Sequence, residues 1–307
     1  MRCSPALCAL VAVLVALVVG CNFDADAERD SGEVRVVAST ALIAEFASTI
    51  AGDDAVVVEL IPAGADLHSF EPAPAVAAAI AQADLVLING HDLEGTLLEV
   101  IEQNTSDGVP IVAVSDGIEA LFRAGEQVDD GRDQRGGIDP HLWLDARNAM
   151  HYVEQIRDAL IEIAPADHDG FRERSAVYLG ELQALHEDLV AQLASVPDGD
   201  RQLIVFHDAY RYFAAGYGLE LLATLLPAGA QQEPAARTIA KLIELIEESG
   251  VRIVFAEPQF NSAVIEHIAA EADVGVGTLY STFSGEIDSY MELMQANADA
   301  LTKGLAS

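Results

Sequence analysis

One uninterrupted amphipathic stretch divides this chain into two similar halves. Residues 167–195, DHDGFRERSAVYLGELQALHEDLVAQLAS, place apolar side chains three and four positions apart with no internal proline, which predicts a single helix. A helix of about 29 residues would be about 43 Å long at about 1.5 Å per residue, which is longer than a small domain requires. We therefore expect a rigid connector between two lobes.

Both flanking halves alternate short β-rich runs with helical patterns. The first half contains VRVVAS, AVVVELI, DLVLING and VPIVAVS, and the second contains RQLIVF, LELLATL, VRIVFAE and VGVGTLY. This alternation predicts parallel sheets covered by helices. The expected fold is α/β with two lobes, each a parallel-sheet βα sandwich, joined by one long rigid helix. The lobes are predicted at 33–165 and 197–307, with the connecting helix at 166–196.

The first 32 residues predict export and a tether. Residues 1–20 contain one Arg and then an apolar run without acidic residues, which is typical of a signal peptide, although the run approaches the length of a membrane anchor. Gly20 before Cys21 favours cleavage, and VVGC resembles a bacterial lipobox, which implies a lipidated Cys21. A retained anchor and plain secretion are the alternatives. Residues 21–32 are polar and acidic and predict a flexible lipidated tether.

Charge and cysteine content exclude several kinds of ligand. The chain has 16 basic and 50 acidic residues and a formal net charge of −34, so nucleic acid is not an expected partner. Cys3 and Cys8 lie in the predicted signal peptide, and Cys21 would carry the lipid. The mature chain then has no disulfide and no thiolate metal site. Any transition-metal site must use histidine and carboxylate ligands.

Three of the eight histidines occur at loops or directly after predicted strands. They are His68 in GADLHSF, His141 in DPHLWLD and His207 in LIVFHDAY. The carboxyl ends of parallel strands border the ligand crevice, so these side chains can converge, and three imidazoles suit zinc. His91, in NGHDLEG, also follows a predicted strand. The other four lie in helical patterns: His151, His168, His186 and His267.

Five segments in order resemble the signatures of one protein family. GADLHSFEPAP, DPHLWLDARNA, FHDAYRYFAAGYGLELL, EPQFNSAVIEHIA and YMELMQANADAL are similar to successive motifs of the zinc and manganese substrate-binding proteins of ABC transporters, the cluster A-I or ZnuA/TroA-like proteins. The resemblance covers about residues 33–305. It implies a binding protein, not an enzyme, with two α/β lobes bridged by one long helix and a metal ion in the cleft between them.

The resemblance implies that His68 and His141 are ligands from the N-terminal lobe and that His207 is the ligand from the C-terminal lobe. Manganese-carrying members often have Glu at the position of His207. Imidazole suits zinc whereas a carboxylate suits manganese, so Zn2+ is the expected cargo and Mn2+ or Fe2+ the alternative. The implied protein is a monomer that captures the ion outside the cytoplasm, at the outer face of the membrane or in the periplasm, and delivers it to an ABC permease.

The fourth ligand departs from the family pattern. Members usually have Asp in a stretch similar to LYSD, but GTLYSTFSGEIDSY puts Thr282 at the matching place. Glu286 is the tentative fourth ligand, with Asp288 as an alternative a few residues later. Water or another group could also fill the position, as in open three-histidine zinc sites.

Several side chains near the histidines are expected to support them. Ligating imidazoles usually donate their second N–H to carboxylates. The expected supporting carboxylates are Asp139, Asp145, Asp208 and Glu257. Asp139 and Asp145 could equally cap loops or helices. Trp143 and Phe70 are expected to pack the cleft wall.

Two other functions remain open at this stage. A three-histidine zinc hydrolase could generate hydroxide at an open metal position, but no H-E-x-x-H helix is present. An adhesin or metal sensor would add partner binding to metal binding. Zinc-type members also often have a histidine-rich loop before DPHLW. Here AGEQVDDGRDQRGG contains no histidine, so an ordinary surface loop is expected.

Overall fold

The computed structural model describes residues 33–122, 137–226, 235–285 and 287–305. Within these ranges the predicted α/β fold is confirmed, because two four-stranded parallel sheets are flanked by helices. The predicted signal peptide, the tether with Cys21, Glu286 and most of the acidic loop lie outside the described residues. Among the helices that are described, none has the length and apolar character to cross a membrane.

The N-terminal sheet has its first strand in the interior. The strand order is β2-β1-β3-β4, and each neighbouring pair is parallel. β3 is wholly buried, as a continuous apolar run predicts for a strand covered on both faces. The strands are β1 Val34–Thr40, β2 Ala55–Ile61, β3 Leu85–Ile88 and β4 Ile111–Ala113.

The C-terminal sheet repeats this arrangement. Its order is β6-β5-β7-β8, again with parallel pairs. In both sheets the first strand of the lobe lies between the second and the third, so each lobe has a switch point beyond the carboxyl ends of its two central strands, where ligands bind in such sheets. The strands are β5 Gln202–His207, β6 Glu220–Leu226, β7 Ile253–Ala256 and β8 Gly275–Thr278.

The helices lie close to their predicted positions. Thr40 caps the first helix, since its side-chain oxygen accepts the N–H of Ile43. The helical patterns of the sequence predict helix starts at residues 92, 208 and 286, whereas the corresponding helices begin at Thr96, Arg211 and Tyr290. The helices are α1 Ala41–Ala51, α2 Pro74–Ala81, α3 Thr96–Asn104, α4 Ala146–Ile163, α5 His168–Leu193, α6 Arg211–Tyr217, α7 Ala236–Ser249, α8 Ala263–Glu271 and α9 Tyr290–Leu305.

The connector is the 26-residue helix α5, about 39 Å long. It packs against the helices α1, α4, α6 and α9. One apolar core runs from the N-terminal sheet along α5 to α9, and a smaller one lies in the C-terminal lobe around β5, β7, α7 and α8. The side chains of α5 buried in this packing recur three and four positions apart: Phe171, Ser175, Tyr178, Leu182, Leu185, Leu189 and Leu193. The bounds predicted for the lobes, 33–165 and 197–307, stay predictions.

Hydrogen bonds join the lobes beside the cleft. The N–H of Gly64, whose φ is +82°, donates to the carbonyl of Phe283 at 2.7 Å. The indole N–H of Trp143 donates to the carbonyl of Ser281 at 2.9 Å, and the Tyr290 hydroxyl donates to the carbonyl of Trp143 at 2.7 Å. Residues 281–285 are therefore held as an irregular strap against the N-terminal lobe, and α9 begins at Tyr290.

Candidate metal centre

Three histidines reach the cleft from separate elements. His68 lies in the loop between β2 and α2, His141 precedes the short helical turn Leu142–Leu144, and His207 is the last residue of β5. His141 and His207 are buried, whereas His68 is partly exposed. The loop of His68 therefore forms the outer edge of the site.

The three imidazoles converge through their Nε2 atoms. Nε2 of His141 lies 3.1 Å from Nε2 of His68 and 3.4 Å from Nε2 of His207. Among the described residues, these histidines form the only group of three or more histidine, cysteine or carboxylate side chains that could hold a metal ion. Nitrogens bound to zinc at about 2.0–2.1 Å in a tetrahedron lie about 3.3 Å apart. The observed spacing matches this arrangement.

The ring of His141 is oriented by the carboxylate of Asp139. Nδ1 of His141 lies 2.7 Å from Oδ1 of Asp139, which also accepts the backbone N–H of His141 at 3.0 Å. Since Nδ1 donates to the carboxylate, the lone pair of Nε2 faces the cleft. Trp143 packs edge-on against this ring, with centroids 5.3 Å apart.

The ring of His207 is oriented in the same way by Glu257, the first residue after β7. Nδ1 of His207 donates to Oε1 of Glu257. Burial disfavours charge on the ring, but the carboxylate of Glu257, together with those of Asp66 and Asp139, outweighs burial and holds the pKa of His207 above its ordinary value. Burial also disfavours charge on Glu257, yet His207 keeps the pKa of that carboxyl below its usual range. The pair therefore favours the charged form of both partners.

The second oxygen of Glu257 is held by two residues that sequence reasoning missed. Oε2 accepts the Ser281 hydroxyl at 2.6 Å and the side-chain amide of Gln259 at 2.9 Å, and that amide also donates to Ser281 at 2.9 Å. Gln259 lies two residues from Glu257 and could have been suspected. Ser281 belongs to the strap 281–285, and no local pattern identified it.

The histidines line a small cavity whose wall contains both polar and apolar side chains. Its free volume is about 10 Å³, which is close to the room that one water molecule or ion requires. Thr282 is buried and forms part of the wall. Asp66, also missed from sequence, accepts the N–H of His68 at 3.1 Å and the hydroxyl of Ser69 at 2.5 Å. Asp66 thereby fixes the loop that carries His68.

Two of the expected supporting carboxylates form ion pairs with arginines. Asp145 caps α4 and pairs with Arg147 at 2.5 Å, and Asp208 pairs with Arg211 at 2.8 Å. Each carboxylate is thus engaged by an arginine of the helix that follows it. Asp288 is exposed and outside the histidine group.

The remaining predicted residues also lie apart from the histidine group. Phe70 packs on the apolar core that runs from the N-terminal sheet to α9, and none of the five other histidines joins the group within the described ranges. Glu286 lies outside the described residues, so its predicted role as a ligand stays a prediction.

Comparisons with known proteins agree with this architecture. A family model described as "Zinc-uptake complex component A periplasmic" (ZnuA) matches residues 36–304. The manganese-binding lipoprotein MntA of Halalkalibacterium halodurans is 29% identical over 303 residues, covering 97% of each chain. The iron-binding protein YfeA of Yersinia pestis is 30% identical over 276 residues, covering 88% of this chain and 86% of YfeA.

The fold comparison leads to the same relatives. The periplasmic zinc-binding protein TroA of Treponema pallidum superposes with a TM-score of 0.81 at 25% identity, covering 90% of this chain and all of TroA. Members of the matched family are solute-binding proteins rather than enzymes, and they work with a membrane permease and an ATPase. The match across nearly the whole described fold shows that this chain belongs to the ZnuA family of metal ABC transporter substrate-binding proteins.

Proposed function

We propose that this protein binds Zn2+ outside the cytoplasm through His68, His141 and His207 and delivers the ion to the permease of an ABC transporter. The observation that carries the proposal is the convergence of three Nε2 atoms at separations of 3.1 and 3.4 Å. Carboxylates hold the opposite ring nitrogens of His141 and His207, which is the usual support for metal-binding imidazoles. The ion is cargo and no reaction is performed on it.

Zinc is preferred because all three converging groups are imidazoles. Nitrogen ligands at this spacing suit zinc, whereas manganese favours carboxylate and water oxygens. Manganese is the second candidate, because MntA, which is similar to this chain over nearly its whole length, is a manganese-binding lipoprotein. The fourth ligand decides between them, since an added carboxylate would shift the site toward manganese.

For the fourth position, we propose water or the carboxylate of Glu286. The buried Thr282 presents only a hydroxyl at the cavity wall, and hydroxyls are not among the usual zinc ligands. A Glu286→Gln variant separates the two cases. Unchanged zinc affinity would support water, whereas a loss of tenfold or more would assign the position to Glu286.

We also propose that residues 1–20 are removed and that a lipid on Cys21 anchors the protein at the outer face of the membrane. The lipobox-like VVGC and the lipoprotein relatives MntA and SsaB support this. Expression of the full chain and of Cys21→Ser, followed by membrane fractionation, tests the anchor. A variant that stays in the membrane fraction would rule out lipid anchoring through Cys21.

The metal proposal is tested by competitive calorimetric titration of the mature chain, residues 21–307 with Cys21→Ser to keep it free of lipid. We expect one zinc ion per chain, not displaced by equimolar manganese, and loss of binding in His207→Ala. His267→Ala is the matched control, because His267 is an exposed histidine of the same lobe. If the chain bound manganese in preference to zinc, manganese and not zinc would be the cargo. Equal binding by both variants would exclude His207 as a ligand.

A further inference from the structure

A fully buried asparagine lies directly under the segment that carries His141. Asn89 is the first residue after β3, one of the two central strands of the N-terminal sheet, and its solvent exposure is 0%. Burial of an amide is costly unless its donors and acceptors are all satisfied. The contacts of Asn89 therefore indicate what the residue does.

Every polar group of Asn89 has a partner. Its side-chain NH2 donates to the carbonyls of Gly90 and Pro140, each at 3.0 Å. Its side-chain oxygen accepts the hydroxyl of Tyr152 at 2.6 Å. Because two carbonyls face one end of the amide, that end must be the NH2 group. The orientation of the side chain is thus fixed.

The backbone of Asn89 is held as firmly as its side chain. Its N–H donates to Oε1 of Glu94 at 2.6 Å, and its carbonyl accepts the hydroxyl of Ser115 at 2.5 Å. Glu94 in turn accepts the hydroxyl of Ser39, at the end of β1, at 2.8 Å. A buried network with every member satisfied is rigid. Asn89 therefore has a fixed position at the carboxyl end of β3.

The same place in the C-terminal lobe is occupied by a residue that touches a site histidine. Glu257 is the first residue after β7, the strand that corresponds to β3 in the matching strand order, and it holds the ring of His207. Asn89 holds the carbonyl of Pro140, the residue directly before His141. Each lobe thus uses the first residue beyond its third strand to fix a histidine-bearing segment.

We infer that Asn89 is a positioning residue of the metal site, which sets the place of His141 through the carbonyl of Pro140. Asp139 orients the ring of His141, and Asn89 fixes the backbone at Pro140, the residue directly before His141. A displacement of this backbone would move Nε2 relative to its neighbours. The inference rests on the proposed metal binding by His141.

The test uses the mature chain and two metals. Zinc affinity is measured by competition with a chromophoric chelator. Co2+ is then bound in place of zinc, because its visible d–d absorption reports the coordination geometry. In Asn89→Ala we expect zinc affinity to fall about 10- to 100-fold, as for outer-shell partners of other metal sites, and the Co2+ bands to shift.

Two tyrosine variants, each lacking one hydroxyl, distinguish a positioning role of Asn89 from a general loosening of the core. Tyr152→Phe removes the hydroxyl that orients Asn89, whereas Tyr178→Phe removes a hydroxyl that donates to Glu45 at 3.1 Å and makes no hydrogen bond to Asn89. We expect a smaller effect in the same direction from Tyr152→Phe and none from Tyr178→Phe. Tyr152→Phe also serves as the test if Asn89→Ala does not fold.

The possible failures are distinguishable. If the unsubstituted chain bound neither metal, the proposed function would fail. If it bound both, while folded Asn89→Ala kept its zinc affinity and Co2+ spectrum, the positioning role alone would be overturned. Equal effects of Tyr152→Phe and Tyr178→Phe would overturn it too, because both would then reflect a loosened core.

Discussion

A partly buried glutamate on α1, Glu45, is expected to make the stability of the metal-free protein depend on pH. Glu45 accepts the hydroxyl of Tyr178 on α5 at 3.1 Å and the N–H of Tyr290, the first residue of α9, at 3.0 Å. Burial raises the pKa of Glu45 from 4.5 to about 7, with Asp288 and Glu292 adding to the rise and the two hydrogen bonds opposing it. The surroundings of Glu45 in the folded protein thus favour the neutral acid over the carboxylate.

The energetic cost follows from the two pKa values. A shift of one pKa unit corresponds to about 1.4 kcal/mol, so the rise in the pKa of Glu45 from 4.5 to about 7 corresponds to about 3 kcal/mol. At pH values well below the unfolded pKa, both states bind the proton and the cost is absent. As the pH rises, the unfolded state loses the proton first, and stability falls until the folded pKa is passed. The destabilisation is complete above about pH 8.

Glu45→Gln should remove this cost. An amide keeps the size of the side chain, and its oxygen and NH2 can serve the Tyr290 N–H and the Tyr178 oxygen. Relative to the unsubstituted chain, the variant is expected to gain about 3 kcal/mol in unfolding free energy at pH 8.5 and about 1 kcal/mol or less at pH 5. Urea unfolding of the chelator-treated mature chain at both pH values measures the difference.

A control variant corrects for the loss of one negative charge from an acidic protein. Glu173→Gln changes an exposed residue of α5 and should alter the stability little at either pH. A gain in Glu45→Gln of equal size at pH 5 and pH 8.5 would refute the reasoning, because the effect would then not come from ionisation. A loss of stability at pH 8.5 would refute it as well.

Three further predictions concern the metal site. Glu257→Gln keeps the size but removes the charge beside His207, and competitive titration should show zinc binding weakened about 10- to 100-fold; unchanged affinity would contradict the support described for that ring. Thr282→Asp adds a carboxylate at the cavity wall and should tighten zinc and manganese binding tenfold or more, with Thr282→Asn as the uncharged control. Acidification from pH 7.5 to 5.5 should weaken zinc binding, because protons compete for the imidazoles. The pKa of His207 lies above its ordinary value, so zinc affinity should begin to fall at a pH above the usual imidazole pKa. A zinc affinity that did not change with pH would contradict this.

The fold and the converging histidines were predictable because their signals are local. Runs such as AVVVELI and LVLI, separated by helical patterns, identify strands of a parallel sheet with little dependence on the rest of the chain. His68 follows β2 and His207 ends β5, and the carboxyl ends of parallel strands border the ligand crevice. His141 lies in a loop before a helical turn and was recognised by its motif DPHLWLD. The long connector was equally evident, because its apolar spacing continues without interruption.

The supporting contacts were less predictable because tertiary neighbours decide them. Asp145 and Asp208 are near histidines in sequence, yet an arginine two or three residues later on the helix engages each of them. Ser281 belongs to a different segment from Glu257 and meets it only in the folded protein. The carbonyls of Ser281 and Phe283 likewise accept hydrogen bonds from the N-terminal lobe, which a local sequence pattern does not reveal.

The wide separation of the three histidines along the chain gives a bound ion a second role, as a cross-link. His68 and His141 are 73 positions apart, and His141 and His207 are 66 positions apart, so one ion would close two long loops of a chain whose cysteines all lie at or before position 21. At a free metal concentration of about 100 times the dissociation constant, such binding adds about 2.7 kcal/mol to folding stability. Loaded and empty molecules would then differ in resistance to proteases, and survival under proteolysis would report how much of the protein carries cargo.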